Sequence, residues 1–434
     1  MKVRSITYFC EPGWPPQARR FDEAARFLEH ARRAVERAGF EVQTTRLATQ
    51  PFAEYLPLAS REAAVDGARA LAALLDSKPI SYLSLGPALP AQPQACTLVP
   101  DILAADERVF ASILLTDWRR GISTTAVQAA ADAIVRVAQL RPDGFANLRL
   151  AALAGVGPHS PFFPAAYHTG GAPAFAIATE SADLAVEAFD HAPDLDTAGR
   201  RLTEAIEGAA RALKEALTKS GGLQGARFAG IDFSLAPFPA ETASIGAAFE
   251  RLGVARVGLA GSALAAALLT QAIDRAIFPR AGFCGLFLPI FEDAILARRA
   301  GEGVLALSDL LLYCTMCGAG LDTIPLPGDT PAAHLAALLL DVAAVALRHA
   351  KPLTARLMPL PGKRTGDPVE FDFAYFAPSR VMELRAEAPG RLLTQVEWIA
   401  VEPHRRGSGR HCSPCLKRLL QVRDQVLDVL QADR

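Results

Sequence analysis

The chain has 434 residues, and its 45 Lys and Arg against 46 Asp and Glu give a formal net charge of −1. Such a balance leaves no basic field to hold a phosphate backbone, so nucleic acid is not an expected partner. The length exceeds the size at which single cores usually stop growing, so roughly two lobes or one large α/β unit is expected. The 51% apolar content is rich in alanine and suits helices packed tightly on a sheet.

The first ten residues, Met1 to Cys10, lack the apolar core and small-residue cleavage site of a secretion signal. The most apolar helical stretches, 332–349 and 261–273, are interrupted or bounded by Asp341, Gln271 and Asp274 and are short for a bilayer span, so no membrane partner is expected. Seven cysteines fit no dense disulfide framework, and a reducing cytoplasm is the expected home.

In chain order, 3–9 reads as a strand, 17–38 as a helix stopped at Gly39, and 40–47 as a strand. Residues 61–76 read as a helix, 80–85 as a buried strand, 123–140 as a helix, and 148–155 and 175–179 as short strands around a loop rich in Pro, His and Phe. Residues 182–219 form one long helix or a broken pair, and 228–235, 283–288 and 354–358 are strand-like. Helices at 241–252, 262–276 and 330–349 alternate with them. This alternation predicts a largely parallel sheet covered by helices. The division is a body over 1–377 and an appendage over 378–434, which carries a Cys-Ser-Pro-Cys turn and an apolar stripe of Leu416, Leu419, Leu420, Val426, Leu427 and Leu430.

Ligands of α/β folds gather where strands end, and five segments fit that position. Residues 158–168 offer His159 and His168, and 230–237 place Asp232 and Ser234 in an apolar strand. Residues 282–293 end in Glu292 and Asp293 at a helix start. Residues 313–329 pack Cys314, Cys317, Asp322 and Asp329 among glycines and prolines, which reads as a functional loop. Arg356 lies inside an apolar strand and leads to Lys363 in a glycine-flanked turn that is not a P-loop.

Each candidate has a structural alternative. First-turn acids such as Glu292 and Asp293 favour a helix dipole, Asp232 suits a turn, and Asp322 and Asp329 suit loop caps. His168 reads equally as a hydrogen-bonded loop residue, Arg356 as half of a structural ion pair, and Cys10, Cys96 and Cys284 as buried filler. Cys314, Cys317, Cys412 and Cys415 form two CxxC pairs able to make a tetrahedral zinc site. Cys412-Ser-Pro-Cys415 alone has the form of a redox pair.

The segments 230–237, 317–329 and 356–363 resemble the uncharacterised family catalogued as domain of unknown function 711, and 161–168 and 287–293 match it more loosely. The resemblance implies a large mixed α/β barrel similar to the ten-stranded pyruvate formate-lyase-like barrel of glycyl radical enzymes, with a central loop on which Cys317 is the residue to compare. The sequence lacks the C-terminal glycyl radical motif, so radical chemistry is not expected to carry over.

The leading expectation is a non-radical lyase or hydrolase acting on a small anionic metabolite. Cys317, His168, Asp232 and Asp322 would be its catalytic groups, with Arg356, Lys363, Glu292, Asp293 and Asp329 around the substrate and zinc or another divalent cation as candidate cofactor. The rivals are a metabolite-sensing protein without turnover, and a protein whose two CxxC pairs form a zinc or redox staple. A homodimer is the default assembly.

Overall fold

A computed structural model describes residues 1–219 and 225–404. The first half runs β1 (Lys2–Phe9), α1 (Ala18–Arg37), β2 (Val42–Ala48), α2 (Arg61–Ala73), β3 (Tyr82–Ala88), α3 (Pro93–Ala105), β4 (Val109–Leu114), the short β5 (Thr116–Asp117) and β6 (Gly121–Ser123), α4 (Thr124–Ala138) and β7 (Leu150–Ala154). The second half runs β8 (Ala174–Glu180), α5 (Ala182–Phe189), α6 (Leu195–Lys219), β9 (Arg227–Ala236), α7 (Ile245–Arg251), α8 (Ser262–Arg275), α9 (Ala294–Gly301), α10 (Leu307–Cys317), β10 (Gly320–Pro327), α11 (Ala332–Arg348) and β11 (Leu353–Leu360). Three two-residue strands follow, β12 (Pro368–Val369), β13 (Ser379–Arg380) and β14 (Trp398–Ile399).

The described residues form a nine-stranded sheet in the order β10-β11-β7-β4-β3-β2-β1-β8-β9. Neighbours are parallel except at two joints, β1 with β8 and β7 with β11. The sheet is therefore a central parallel block of five strands flanked by two parallel pairs of opposite direction. Residues 279–290 were expected to include a strand at 283–288 but are irregular. They nonetheless hydrogen-bond to both sheet edges: Ile231 and Phe287 amides reach Pro279 and Ser234 carbonyls on the β9 side, and Ile290 donates to Asp322 on β10.

The outer face carries the main core. Period-two alternation sends Ile6, Tyr8, Leu47, Leu83, Val109 and Ala111 outward against the helices, and α1 meets them with Phe21, Ala24, Leu28, Ala31 and Val35 on one stripe. Hydroxyls of Ser60 and Ser123 cap α2 and α4.

The expected helix over 182–219 is the broken pair α5 and α6. The larger correction concerns 313–329, which is not a loop: its first residues complete α10 and its centre is the edge strand β10. Residues 378–404 make contacts with the body: β13 pairs with β12, β14 pairs with β6, the Met382 amide donates to Pro325, and the His404 amide donates to Arg348. The Cys412–Cys415 pair and the apolar stripe after it lie outside the described residues. No described helix is long and apolar enough to cross a membrane.

Candidate functional site

The inner face of the parallel block is polar where the outer face is greasy. Ser5 and Thr7 both donate to the Pro161 carbonyl, at 3.2 and 2.9 Å, and Ser84 donates to the Ala166 carbonyl at 2.7 Å. These hydroxyls hold residues 158–168 across the inner face, so Phe162 and Phe163 are carried over the strands. Tyr167 stays buried, its hydroxyl on the Val156 carbonyl.

Beside them opens a cleft of about 780 Å³, solvent at its mouth included. Its polar wall is a chain of charges running across the sheet. Arg356 on β11 donates to both oxygens of Asp322 on β10, the Nη2 contact being 2.9 Å, and to Glu292 at 2.7 Å. Glu292 accepts in turn from Arg4 on β1, and Arg4 reaches Glu180 on β8 at 2.8 Å. A register shift between Val3 and Ser5 re-aims Arg4 at that point of β1. The Arg4 guanidinium also lies 5.3 Å from the Tyr375 ring.

Burial and mutual charge set the titration of this wall. Burial pushes Asp322 above the usual carboxylate value, against the pull of Arg356. Burial works against the charge of Arg356 and Arg4, but the acids beside them win and hold both above the ordinary guanidinium value.

Arg46 on β2 is different. Its Nε donates to Thr44 Oγ1 at 2.9 Å, and its guanidinium lies 5.1 Å from the Phe163 ring and 5.9 Å from the Tyr82 ring. Among the described residues no carboxylate pairs with it, and it lines the cleft. Burial, helped by repulsion from Arg4, lowers its pKa to about 9. Apolar walls complete the cleft, with Phe162 and Phe287 at 4.5 Å between ring centroids and Phe110 against Phe163 at 5.4 Å.

Of the residues expected from sequence, Asp322, Arg356 and Glu292 come together in this cleft. Others have different work. Asp232 is fully buried and accepts from Ser234, from the Phe283 amide at 2.7 Å and from the Cys284 amide at 2.9 Å. It holds the turn that sends Phe287 to the cleft, and a Cβ on Gly282 would stand 2.1 Å from its carboxylate. Burial lifts its pKa to about 6. Asp293 caps α9 through the Ile295 and Leu296 amides, both at 2.9 Å, and also takes Ser244 and the Ile245 amide of α7, each at 2.6 Å.

His168 is buried and pairs with His159 at 3.1 Å, away from the cleft wall. Burial lowers both imidazoles, His159 to about 4 with His168 as a further cause. Lys363 donates to the Pro368 carbonyl at 2.7 Å, and Asp329 is exposed; neither lines the cleft. Cys317 is the last residue of α10 instead of a loop cysteine, and Cys314 is buried in the same helix. The proposed zinc set has Cys412 and Cys415 outside the described residues, and so is the side chain of Cys317. Among the described residues no group of three or more His, Cys, Asp and Glu is placed to hold a metal ion.

Sequence reading missed Arg4, Arg46 and Glu180. Arginine within an apolar strand was the signal that singled out Arg356; Arg4 and Arg46 also lie within strands, but among Ser, Thr and Gln, which weakens that signal.

Residues 1–378 match the family model described as Uncharacterised ACR (DUF711). The chain is 32% identical over 365 residues to a UPF0210 protein of Pyrobaculum islandicum, covering 78% of this chain and 79% of the relative. It is 29% identical over 352 residues to a UPF0210 protein of Neisseria meningitidis serogroup C, covering 77% of each.

Proposed function

Because the chain belongs to the DUF711 (UPF0210) family, whose description names no reaction, we propose a function from the cleft itself: it binds a small anionic metabolite on Arg46 and acts on it by acid–base chemistry of the lyase or hydrolase type. The observation that carries this reading is Arg46, the one cleft arginine that no carboxylate contacts among the described residues. Burial outweighs the more distant pull of Glu292 on its guanidinium, and an anion bound in direct contact recovers that free energy. Asp322 and Glu292 are the acid–base groups within the same cleft, with Arg356 and Arg4 holding their orientation. Among the described residues the cleft lining contains no cysteine or histidine, and this reading assigns none of those candidates a part.

One observation favours a second reading, binding without turnover. Both Asp322 oxygens and both Glu292 oxygens already accept from guanidiniums, so neither acid is a free base until a substrate displaces a contact. The finer fold reading, a closed barrel, draws support from the bonds that residues 279–290 make to both sheet edges.

The test is a ligand screen on the full chain by thermal shift, with small carboxylates and phosphate esters, repeated on Arg46→Gln. Loss of one charge-assisted contact is worth about 1.5–3 kcal/mol, or roughly 10- to 150-fold in affinity. Anions that stabilise both proteins equally refute the assignment of Arg46. Incubation of each hit with native protein and with Asp322→Asn, read by mass spectrometry, separates turnover from binding.

A further inference from the structure

We infer that the ligand of this cleft is a monocarboxylate carried on a flat, apolar body, a refinement that rests on the small-anion reading above. Charge limits the ligand to one negative group. Arg4 and Arg356 are shared among Glu180, Glu292 and Asp322, and with Arg46 the wall carries three guanidiniums against three carboxylates. Of the three arginines, Arg46 is the one that no carboxylate contacts among the described residues, so a single carboxylate can pair with it directly. A dianion such as phosphate would meet Glu292 and Asp322 in the same cleft with its second charge unmatched.

Arg46 can be approached from only part of its surface. The rings of Phe163 and Tyr82 lie at its guanidinium, 5.1 and 5.9 Å away, and Nε is committed to Thr44. The two Nη groups remain, side by side on one edge. That edge suits a planar two-oxygen acceptor end-on, which a carboxylate supplies.

The wall next to that edge is apolar. Phe162, Phe163 and Phe287 present ring surface to the cleft together with Pro237 and Pro289. Ring surface rewards a flat partner that can stack or meet it edge-on, beyond what apolar area alone returns.

The experiment is isothermal titration of the full chain with three probes: benzoate, cyclohexanecarboxylate and inorganic phosphate. Benzoate is expected to bind roughly tenfold more tightly than either other probe, and Arg46→Gln is expected to weaken it by roughly tenfold or more. Phe162→Leu should narrow the gap between benzoate and cyclohexanecarboxylate, the larger loss falling on benzoate. Phosphate binding as tightly as benzoate, and lost in Arg46→Gln, overturns the carboxylate assignment while the small-anion reading stands. Equal affinity for the two ring acids overturns the flat body. No binding by any probe, or binding indifferent to Arg46→Gln, removes this inference, and the second result removes the small-anion reading with it. Circular dichroism of both variants checks that each is folded.

Discussion

The ion pair between Asp322 and Arg356 is the most demanding element of the cleft, and a double-mutant cycle measures it. Asp322 is 4% exposed and Arg356 9%, with two parallel contacts between them. Replacing Asp322 by leucine leaves Arg356 on Glu292 alone, and Glu292 must then serve Arg356 and Arg4 together. Replacing Arg356 by methionine leaves Asp322 buried without its cation. Breaking one side of a buried pair typically costs about 3–5 kcal/mol; Glu292 retains part of the charge balance, so the lower figure applies to Asp322→Leu and the upper to Arg356→Met. The double variant replaces both charges by apolar groups and should cost clearly less than the two singles together, with a coupling of about 2 kcal/mol or more. Urea denaturation of the four proteins at neutral pH, followed by near-UV circular dichroism, provides the numbers. Costs that add within about 0.5 kcal/mol would refute the pair as described, because independent sites behave that way.

The strands legible from sequence were those with β-branched or large apolar residues, such as β1 and β9. Two others were hidden for identifiable reasons. β4 reads Val-Phe-Ala-Ser-Ile-Leu, a short apolar run with no alternation because both of its faces are covered. β10 contains Gly320, Pro325 and Pro327, which read as punctuation. Its place at the end of the sheet order explains why prolines are tolerated there. Gly320 is required for a different reason: at φ +114°, a Cβ would stand 1.9 Å from the Thr354 carbonyl oxygen.

α10 was hidden by chemistry. Leu307, Leu310, Tyr313 and Cys314 are its buried positions, a helical stripe. The Cys-x-x-Cys spacing that suggested a ligand pair is also one helical turn, so the same residues satisfied both templates. The half of the cleft contributed by β10, β11 and the start of α9 was legible, because carboxylates and Arg356 stand out in apolar segments. The half on β1 and β2 was not. The threonines and serines of those strands made Arg4 and Arg46 look like ordinary alternation toward solvent, and only the segment 158–168 laid over that face makes it an interior.

Gly320→Ala should lower the urea midpoint by the equivalent of about 1–3 kcal/mol from backbone strain and the clash with Thr354; an unchanged midpoint would show that β10 is not held this closely to β11. The other two predictions concern Asp232, which is buried, and His159, which is half-buried, whose pKa shifts act with opposite sign across the same range. Asp232 rises from 3.8 to about 6 in the fold. Its protonated form is therefore favoured, so its contribution is fully present below pH 3.8 and is lost as pH rises through about 6. At about 1.36 kcal/mol per unit, the stability of the native protein relative to Asp232→Asn should fall by roughly 2 kcal/mol between about pH 4 and about pH 7. His159 falls from 6.5 to about 4, which favours its neutral form in the fold. Its contribution is present above pH 6.5 and is lost as pH falls through about 4, so native protein relative to His159→Phe should gain up to about 3 kcal/mol over the same rise in pH. The contributions of these two groups are thus opposed and of similar size in the native protein. Urea midpoints of both variants at the two pH values expose the opposed slopes; slopes of the same sign would mean that burial is not what sets these two groups.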